Sequence, residues 1–217
     1  MPIKVMIADD HVIVREGLRA LLSKWSREIA VTGEAPDGKG LLELARKKPA
    51  DVYVLDIAMP GLNGIETAAR LLRLDKNARI IYLSMYNDKP TVQKALEAGA
   101  HGYLLKENAG EDIVKAIRAV HGGGYYVSAA LSGFMLERLH TVPGPGLKGE
   151  PASRLTPKER EIIQLIAEGL ADKEISRRLH ISGNTVHAHR NNISRKLDIH
   201  KQTDLVRYAI KEKIAVV

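Results

Sequence analysis

The sequence contains no cysteine. This absence excludes a disulfide, an iron–sulfur cluster, a zinc site with thiolate ligands and a cysteine nucleophile. The sequence also lacks any apolar run near the roughly 18 residues that a membrane-spanning helix needs. We therefore expect a cytoplasmic protein that is not exported and has no membrane partner.

An excess of acidic residues is also lacking, because 33 Lys and Arg residues stand against 26 Asp and Glu residues and the formal net charge is +7. The imbalance lies toward the end of the chain. Residues 151–217 hold 13 basic and 8 acidic side chains, whereas residues 1–121 hold 18 and 16. This distribution indicates that the last third binds a polyanion, such as a nucleic acid. The apolar fraction of 45% excludes wholesale disorder.

Proline and glycine are concentrated in one stretch, Val142–Pro151, which reads VPGPGLKGEP. No helix or strand interior tolerates that density, so the stretch marks a linker between domains. We predict a first domain at residues 1–121 and a second at 154–217. Between them lies a linker at 122–153 that contains one helix, at 129–139.

Short apolar or β-branched segments alternate with segments of helical period in the first domain. Strands that are apolar on both faces and alternate with helices are typical of a parallel sheet covered on both sides. We predict a doubly wound α/β fold with a five-stranded parallel sheet in the order 2-1-3-4-5; the alternative is a mixed α+β domain. The predicted strands are Ile3–Ala8, Ile29–Glu34, Val52–Leu55, Arg79–Ser84 and Gly102–Leu105.

Polar side chains stand at the ends of four predicted strands. Asp9 and Asp10 follow the first strand, Asp56 follows the third, Ser84 ends the fourth and Lys106 follows the fifth. In an open α/β sheet, ligands bind beyond the carboxyl ends of the strands, at the point where the strand order reverses. The predicted order therefore brings three carboxylates together with one hydroxyl and one amine.

This set of side chains predicts phosphoryl chemistry. Clustered carboxylates raise one another's pKa unless a cation lies among them, and oxygen ligands that leave positions for water suit Mg²⁺. Asp56 would then be a nucleophile for phosphoryl transfer. Mg²⁺ and the Lys106 ammonium would neutralise the phosphoryl oxygens, and Ser84 would donate a hydrogen bond to one of them. Asp10 could also cap the following helix, which is compatible with metal binding.

The same positions carry recognisable motifs. They are Asp9-Asp10, Leu55-Asp56-Ile-Ala-Met-Pro-Gly, Leu83-Ser84 and Gly99-Ala-His-Gly-Tyr103-Leu-Leu-Lys106. With these motifs, residues 1–121 resemble a response-regulator receiver domain over its whole length. The resemblance implies that Asp56 is the phospho-acceptor and that Asp9, Asp10 and Asp56 hold Mg²⁺ together with the backbone carbonyl of Ala58.

The resemblance also assigns the remaining polar positions. It implies that Ser84 and Lys106 bind the phosphoryl group. It places Tyr103 at the position of the switch aromatic residue. The alternative for Tyr103 is a tyrosine buried in the core.

After the linker, every apolar pattern has a helical period. We predict helices at Pro157–Glu168, Asp172–Leu179, Gly183–Leu197 and Thr203–Ile214. The short turn between the second and third of these indicates a helix-turn-helix, whose second helix enters the major groove of DNA. On that helix Val186, Ile193 and Leu197 form one apolar stripe. The opposite face carries His187, Ala188, Asn191, Asn192 and Arg195, side chains that suit contacts with phosphates and base edges.

The C-terminal segment contains Leu155-Thr156-Pro157-Lys-Glu159-Arg160-Glu161, Ile181-Ser182, Thr185-Val186 and Lys196-Leu197. With these runs, residues 154–217 resemble the LuxR-type DNA-binding domain of the NarL/FixJ group. The resemblance implies contacts with double-stranded DNA from Asn184, Thr185, His187, Ala188, His189, Arg190, Asn191 and Arg195. It also implies that the last helix supplies a dimer contact through Thr203, Val206, Arg207 and Ile210.

One position departs from the family pattern, because His187 follows Thr-Val where relatives commonly have lysine. Lysine stays charged at physiological pH, whereas histidine titrates near pH 6.5. We hypothesise that specific DNA affinity falls as the pH rises from about 6 to about 8, through loss of a phosphate contact of a protonated histidine.

The two resemblances together predict a response regulator. A sensor histidine kinase would phosphorylate Asp56, and the modified protein would form a homodimer, bind specific DNA and regulate transcription, with RNA polymerase as a further candidate partner. We expect no enzyme activity beyond self-phosphorylation and autodephosphorylation.

Two other functions are compatible with parts of the sequence. The first is a metal-dependent phosphatase with Asp56 as nucleophile, although such enzymes carry a second acid two residues later and this chain has Ala58 there. The second is a constitutive DNA-binding protein whose first domain serves only for dimerisation. A P-loop pattern is lacking, which argues against an ATP-hydrolysing activator.

Overall fold

The structure is a computed structural model that describes residues 1–131, 133 and 155–215. These residues divide into two compact units, the first up to residue 133 and the second from Leu155 onward. No helix within the described ranges is both long and apolar enough to cross a membrane.

A parallel sheet forms the centre of the first unit. Its strands are β1 (Ile3–Ala8), β2 (Ile29–Ala35), β3 (Val52–Asp56), β4 (Arg79–Ser84), β5 (Gly102–Leu105) and β6 (Tyr126–Val127). Their order is β2-β1-β3-β4-β5-β6, and every neighbouring pair is parallel. The doubly wound α/β fold and the order 2-1-3-4-5 are therefore confirmed. The predicted number of five strands is wrong, because β6 extends the sheet beyond β5.

Helices cover both faces of this sheet. They are α1 (Val12–Ser23), α2 (Gly38–Lys47), α3 (Gly64–Leu74), α4 (Lys89–Glu97) and α5 (Ala109–His121). The apolar residues of α2, α3 and α4 share one core with the sheet, and those of α1 and α5 share the other. Strands β3, β4 and β5 are consequently buried on both faces, which explains their nearly continuous apolar sequences.

Strand β6 follows α5 after three glycines and is only two residues long. In its register Val127 lies opposite Tyr103, and the N–H of Ser128 donates to the carbonyl of Tyr103 at 3.0 Å. The hydroxyl of the buried Ser128 accepts a hydrogen bond from the N–H of Leu105 at 3.1 Å. Leu131 then packs in the core beneath α2, α3 and α4.

The sheet therefore continues past residue 121, where the sequence patterns place the end of the first domain. A two-residue strand is too short to show a period in the sequence, so the patterns could not reveal it. Ala129–Leu131 form one 3-10 turn. Most of the predicted helix at 129–139, and the whole Pro- and Gly-rich stretch, lie outside the described residues.

The second unit consists of α6 (Pro157–Ala167), α7 (Asp172–Leu179), α8 (Gly183–Leu197) and α9 (Gln202–Lys211) among its described residues. The predicted bounds of α7 and α8 are confirmed. Helix α9 ends three residues before the predicted end, because Lys213 adopts a positive φ of 56° and Ile214 folds back onto the core. The core contains Ile162, Ile175, Val186, Ile193 and Leu205.

We predict that Ser128→Ala lowers the stability of the first unit. The substitution leaves the buried N–H of Leu105 without its acceptor, which costs about 1–3 kcal/mol in the free energy of unfolding. Trp25 is the only tryptophan and lies in this unit, so its fluorescence during urea unfolding measures the change. Ser26→Ala, at an exposed position, is the control. An unfolding midpoint equal to that of the control would contradict the role of this hydrogen bond.

Candidate functional site

Lys106 joins two carboxylates at the carboxyl ends of the central strands. Its ammonium nitrogen lies 2.8 Å from Oδ2 of Asp9, which follows β1, and 2.8 Å from Oδ2 of Asp56, which ends β3. The side chains of Asp9, Asp56 and Lys106 are only 0%, 3% and 8% exposed. The predicted meeting of these three residues is thus observed, and their charges interact with little screening by solvent.

Burial and the neighbouring charges shift the pKa values of Asp56 and Lys106. Burial raises the pKa of Asp56, the Lys106 hydrogen bond lowers it and the Asp9 charge raises it again, so the net shift is upward. Burial lowers the pKa of Lys106, but its hydrogen bond to Asp56 and the close negative charge of Asp9 outweigh burial and raise it. Lys106 is therefore a permanent cation, while ionisation of Asp56 carries an energetic cost in the folded protein.

The pocket has the donor set of a divalent-cation site. One ligand atom from each of Asp9, Asp10, His11 and Asp56 lies within 4.8 Å of the others. The buried Oδ2 of Asp9 has no hydrogen bond of good geometry, although the Lys106 ammonium is close to it. A buried carboxylate oxygen without a hydrogen bond and several oxygen ligands near an open edge fit a hard cation.

His11 belongs to this pocket and was not among the predicted residues. Its Nδ1 lies 2.9 Å from Oδ1 of Asp10 and 3.2 Å from Oδ1 of Asp9, and its backbone N–H donates to the same Asp9 oxygen at 2.9 Å. The sequence signal was present, because His11 directly follows the two aspartates. A histidine at the start of a helix is more simply explained as a surface residue, which is why the pattern did not single it out.

The second candidate site is the helix-turn-helix of the C-terminal unit. Helix α7 ends at Leu179, His180 adopts a left-handed conformation with φ 53°, and the Ser182 hydroxyl caps α8 by accepting from the N–H of Thr185 at 3.1 Å. Val186 and Ile193 are fully buried, as the predicted apolar stripe requires. The sharp turn therefore holds one face of α8 against the core and leaves the opposite face exposed.

The outer face of α8 carries most of the predicted DNA-contacting residues. Those that are exposed are Asn184, Thr185, His187, Ala188, Asn191 and Arg195. His189 and Arg190 are half-buried instead, and Arg190 donates to Oδ1 of Asp172 at 2.6 Å. The structure thus brings six of the eight residues to one surface, and it holds Arg190 in an ion pair with the first turn of α7.

A shallow pocket of about 140 Å³ adjoins this face between α8 and the beginning of α9. It is lined in part by His187, Asn191, His200 and Lys201. The last two were not among the predicted residues, since they lie in the turn after α8, where helical periodicity gives no signal. Their positions extend the polar face of α8 toward α9.

Both units match known protein families. Residues 5–118 match the family described as the response regulator receiver domain, and residues 153–209 match the luxR family of bacterial regulatory proteins. The nitrate/nitrite response regulator protein NarL of Escherichia coli K12 is 35% identical over 98% of this chain and 97% of its own length. The chain belongs to the two-component response regulators of the NarL/FixJ type.

Other relatives support the assignment of this chain to the response regulators. The oxygen regulatory protein NreC of Staphylococcus carnosus is 31% identical over 97% of this chain and 98% of its own length. Among solved structures, the RcsB response regulator of Salmonella typhimurium matches with a TM-score of 0.64 and 28% identity, covering 99% of each chain. The chain therefore combines a receiver with a LuxR-type DNA-binding helix-turn-helix, and it regulates transcription.

Two further predicted residues of the receiver lie beside the pocket on β4 and β5. The buried hydroxyl of Ser84 accepts a hydrogen bond from the N–H of Tyr86 at 3.0 Å. Tyr103 is fully buried, and its hydroxyl donates to the carbonyl of Tyr86 at 2.8 Å. Both side chains thus contact the loop between β4 and α4, and burial raises the pKa of the Tyr103 hydroxyl. Ala58 follows Asp56 closely, and its N–H donates to Oδ1 of Asp56 at 3.2 Å.

The predicted dimer contacts of this regulator lie on α9 with different exposure. Thr203, Arg207 and Ile210 are exposed, and 44% of Ile210 is open to solvent. Val206 is half-buried and packs against the core of its own unit. Three of the four side chains are therefore accessible to a second molecule.

We predict that Asp56→Asn stabilises the metal-free receiver at neutral pH. The raised pKa of Asp56 means that the folded state loses stability as the pH rises from about 4, the ordinary value for aspartate, through the raised value. Asparagine does not titrate, so the advantage of the variant appears over this range and then stays constant. Urea unfolding at a series of pH values, followed by Trp25 fluorescence, measures it. Asp75→Asn, at an exposed position, is the control.

A second substitution, which removes the cation of the same cluster instead of a carboxylate, completes this test. Lys106→Met leaves Asp9 and Asp56 buried without their cation, which costs about 3–5 kcal/mol when a buried ion pair loses one partner. A stabilising effect of Lys106→Met, or no gain from Asp56→Asn at neutral pH, would show that the cluster is not under electrostatic strain.

Proposed function

We propose that Asp56 accepts a phosphoryl group from a phosphohistidine of a sensor kinase. One carboxylate oxygen of Asp56 attacks the phosphorus, the new P–O bond forms, and the P–N bond breaks to release the imidazole of the kinase. The observation that supports this proposal is the Lys106 ammonium, which lies 2.8 Å from Oδ2 of Asp56, with both side chains largely buried. A fixed cation beside the attacking oxygen stabilises the charge of the transferred group.

The other residues of the pocket would bind the phosphoryl oxygens. Ser84 is the hydroxyl donor at the end of β4, the strand next to β3. Asp9, Asp10 and Asp56 would hold a divalent cation, Mg²⁺ by the chemistry of their oxygen ligands, with the carbonyl of Ala58 as a further ligand. When bound, this ion supplies positive charge to the phosphoryl oxygens.

The signal would reach the second domain through β5 and the residues after it. When Asp56 carries a phosphoryl group, Lys106 would pair with the phosphoryl oxygens instead of the free Asp56 carboxylate. The Ser84 hydroxyl would then turn from the Tyr86 N–H toward the same oxygens. Tyr103 shares the Tyr86 contact and is bonded to Ser128 through its carbonyl. A change at Tyr103 therefore acts on the segment that leads out of the receiver.

Phosphorylation would promote dimerisation and DNA binding. Helix α8 presents its exposed polar face to the major groove, and the accessible side chains of α9 supply the dimer contact. The solved RcsB structures include a complex of that protein with DNA and two RcsB dimers on two DNAs. Paired half-sites and contact with RNA polymerase are the expected consequences for this chain.

A phosphatase acting on external substrates is the weaker candidate. Ala58 stands where such an enzyme needs a second acid, and its methyl group cannot protonate a leaving group. We propose no turnover beyond hydrolysis of the acyl phosphate on Asp56 itself.

We predict that operator binding depends on Asp56. Phosphorylation with acetyl phosphate, or a beryllofluoride mimic, should lower the Kd for DNA selected from random sequences by about 5–150-fold, the usual range of coupling between two sites. Asp56→Asn should abolish this change, and Asp75→Asn should preserve it. The measurement is a DNA titration at fixed salt. Equal affinities for the wild type and Asp56→Asn under both conditions would favour a constitutive DNA-binding protein.

We predict that His187 makes DNA affinity depend on pH. Between about pH 6 and about pH 8 the affinity should fall, and the slope of log K against log salt should shrink by about 0.9, the value for one lost phosphate contact. His187→Lys should keep the full slope across the range. His200 lines the same pocket, so His200→Gln is the matched control and should retain the pH dependence. A flat affinity of the wild type would rule out this contact.

A further inference from the structure

The imidazole of His11 adds a nitrogen donor to a pocket whose other donors are oxygens. Its Nδ1 is 2.9 Å from Oδ1 of Asp10 and 3.2 Å from Oδ1 of Asp9. Neighbouring ligands of an octahedral ion with bonds of about 2.1 Å lie about 3.0 Å apart, and opposite ligands lie about 4.2 Å apart. The ligand atoms of the four residues lie within 4.8 Å of one another. The nitrogen is thus placed as a neighbouring ligand of the carboxylate oxygens.

The position of His11 in the fold holds this nitrogen toward the pocket. His11 is the residue just before α1, and its backbone N–H is bonded to the buried Asp9 carboxylate. Its side chain makes no capping hydrogen bond to α1, so the imidazole is not needed to start the helix. The side chain is 62% exposed, so an ion could reach it from solvent without rearrangement of the core.

We propose that His11 is a fourth side-chain ligand of the divalent-cation pocket and shifts its preference from Mg²⁺ toward transition-metal ions such as Co²⁺ and Ni²⁺. This inference rests on the proposed function, which places a divalent cation among the three aspartates. Oxygen ligands alone suit Mg²⁺, whereas an imidazole nitrogen strengthens binding of Co²⁺, Ni²⁺ and Zn²⁺ and contributes little to Mg²⁺.

The geometry allows one competing role for the same side chain. The imidazole ring could donate a hydrogen bond to the carboxylates in the absence of metal and so occupy the cation's place. The two roles make opposite predictions, because removal of a ligand weakens metal binding and removal of a competitor strengthens it.

The test compares Mg²⁺ and Co²⁺ binding by calorimetry for the full-length wild type and His11→Ala, at a fixed, slightly alkaline pH that keeps a ligating imidazole neutral. His11→Ala should weaken Co²⁺ binding at least about tenfold, since loss of even an outer partner of a metal ligand costs about 10–100-fold. Mg²⁺ affinity should change by no more than about twofold. The visible absorption band of bound Co²⁺ should also shift, because one nitrogen ligand is lost. His121→Ala, an exposed histidine of the same domain, is the control.

Asp9→Asn provides the blank, because it disables the pocket and leaves any Co²⁺ bound by the other histidines. If Asp9→Asn changes the binding of neither ion, the cation site of the proposed function is itself wrong. If Asp9→Asn abolishes binding but His11→Ala weakens both ions equally, weakens neither, or strengthens either one, only the role of His11 is overturned.

Discussion

The receiver depends on one buried cation, the ammonium of Lys106, which holds Asp9 and Asp56 at 2.8 Å each. Two carboxylates share this one amine almost without solvent, and burial raises the pKa of Asp56. That arrangement persists because each group stands at the end of a strand buried on both faces, and the strands cannot move apart without opening the core. A further cation or a chemical change on Asp56 therefore acts on groups that the fold holds in contact.

Strand β5 connects the pocket to the residues that follow the sheet. Lys106 follows it directly, Tyr103 lies within it, and both Tyr103 and Leu105 are hydrogen-bonded to Ser128. The short strand β6 therefore does more than cover a sheet edge. It attaches the segment that leads toward the second domain to the same strand that carries the cation of the pocket.

The sequence predicted the sheet order and the pocket because both follow from strong, local rules. Apolar runs of four to six residues stand out between segments of helical period, and the carboxyl ends of neighbouring parallel strands lie at the same edge of the sheet. Strand β6 escaped this reasoning because two residues after three glycines carry no period. His11 escaped it because adjacency to Asp10 in sequence does not reveal that the ring turns back toward the carboxylates. Arg190 was assigned to the DNA contacts from the family resemblance, whereas its ion pair with Asp172 becomes visible only when α7 and α8 are packed together.

In the C-terminal unit, two cations of α8 form ion pairs with neighbouring helices. Lys196 on α8 contacts both carboxylate oxygens of Glu159, at 2.9 and 2.7 Å, and the same glutamate completes the cap of α6 with Thr156. Burial would raise the pKa of Glu159, but these hydrogen bonds outweigh it and lower the pKa. Lys196 and Arg190 thus fix the direction of α8 relative to α6 and α7. Because these two cations are engaged inside the domain, the contacts of α8 with other molecules fall to its exposed face, on which Asn184, Asn191 and Arg195 lie.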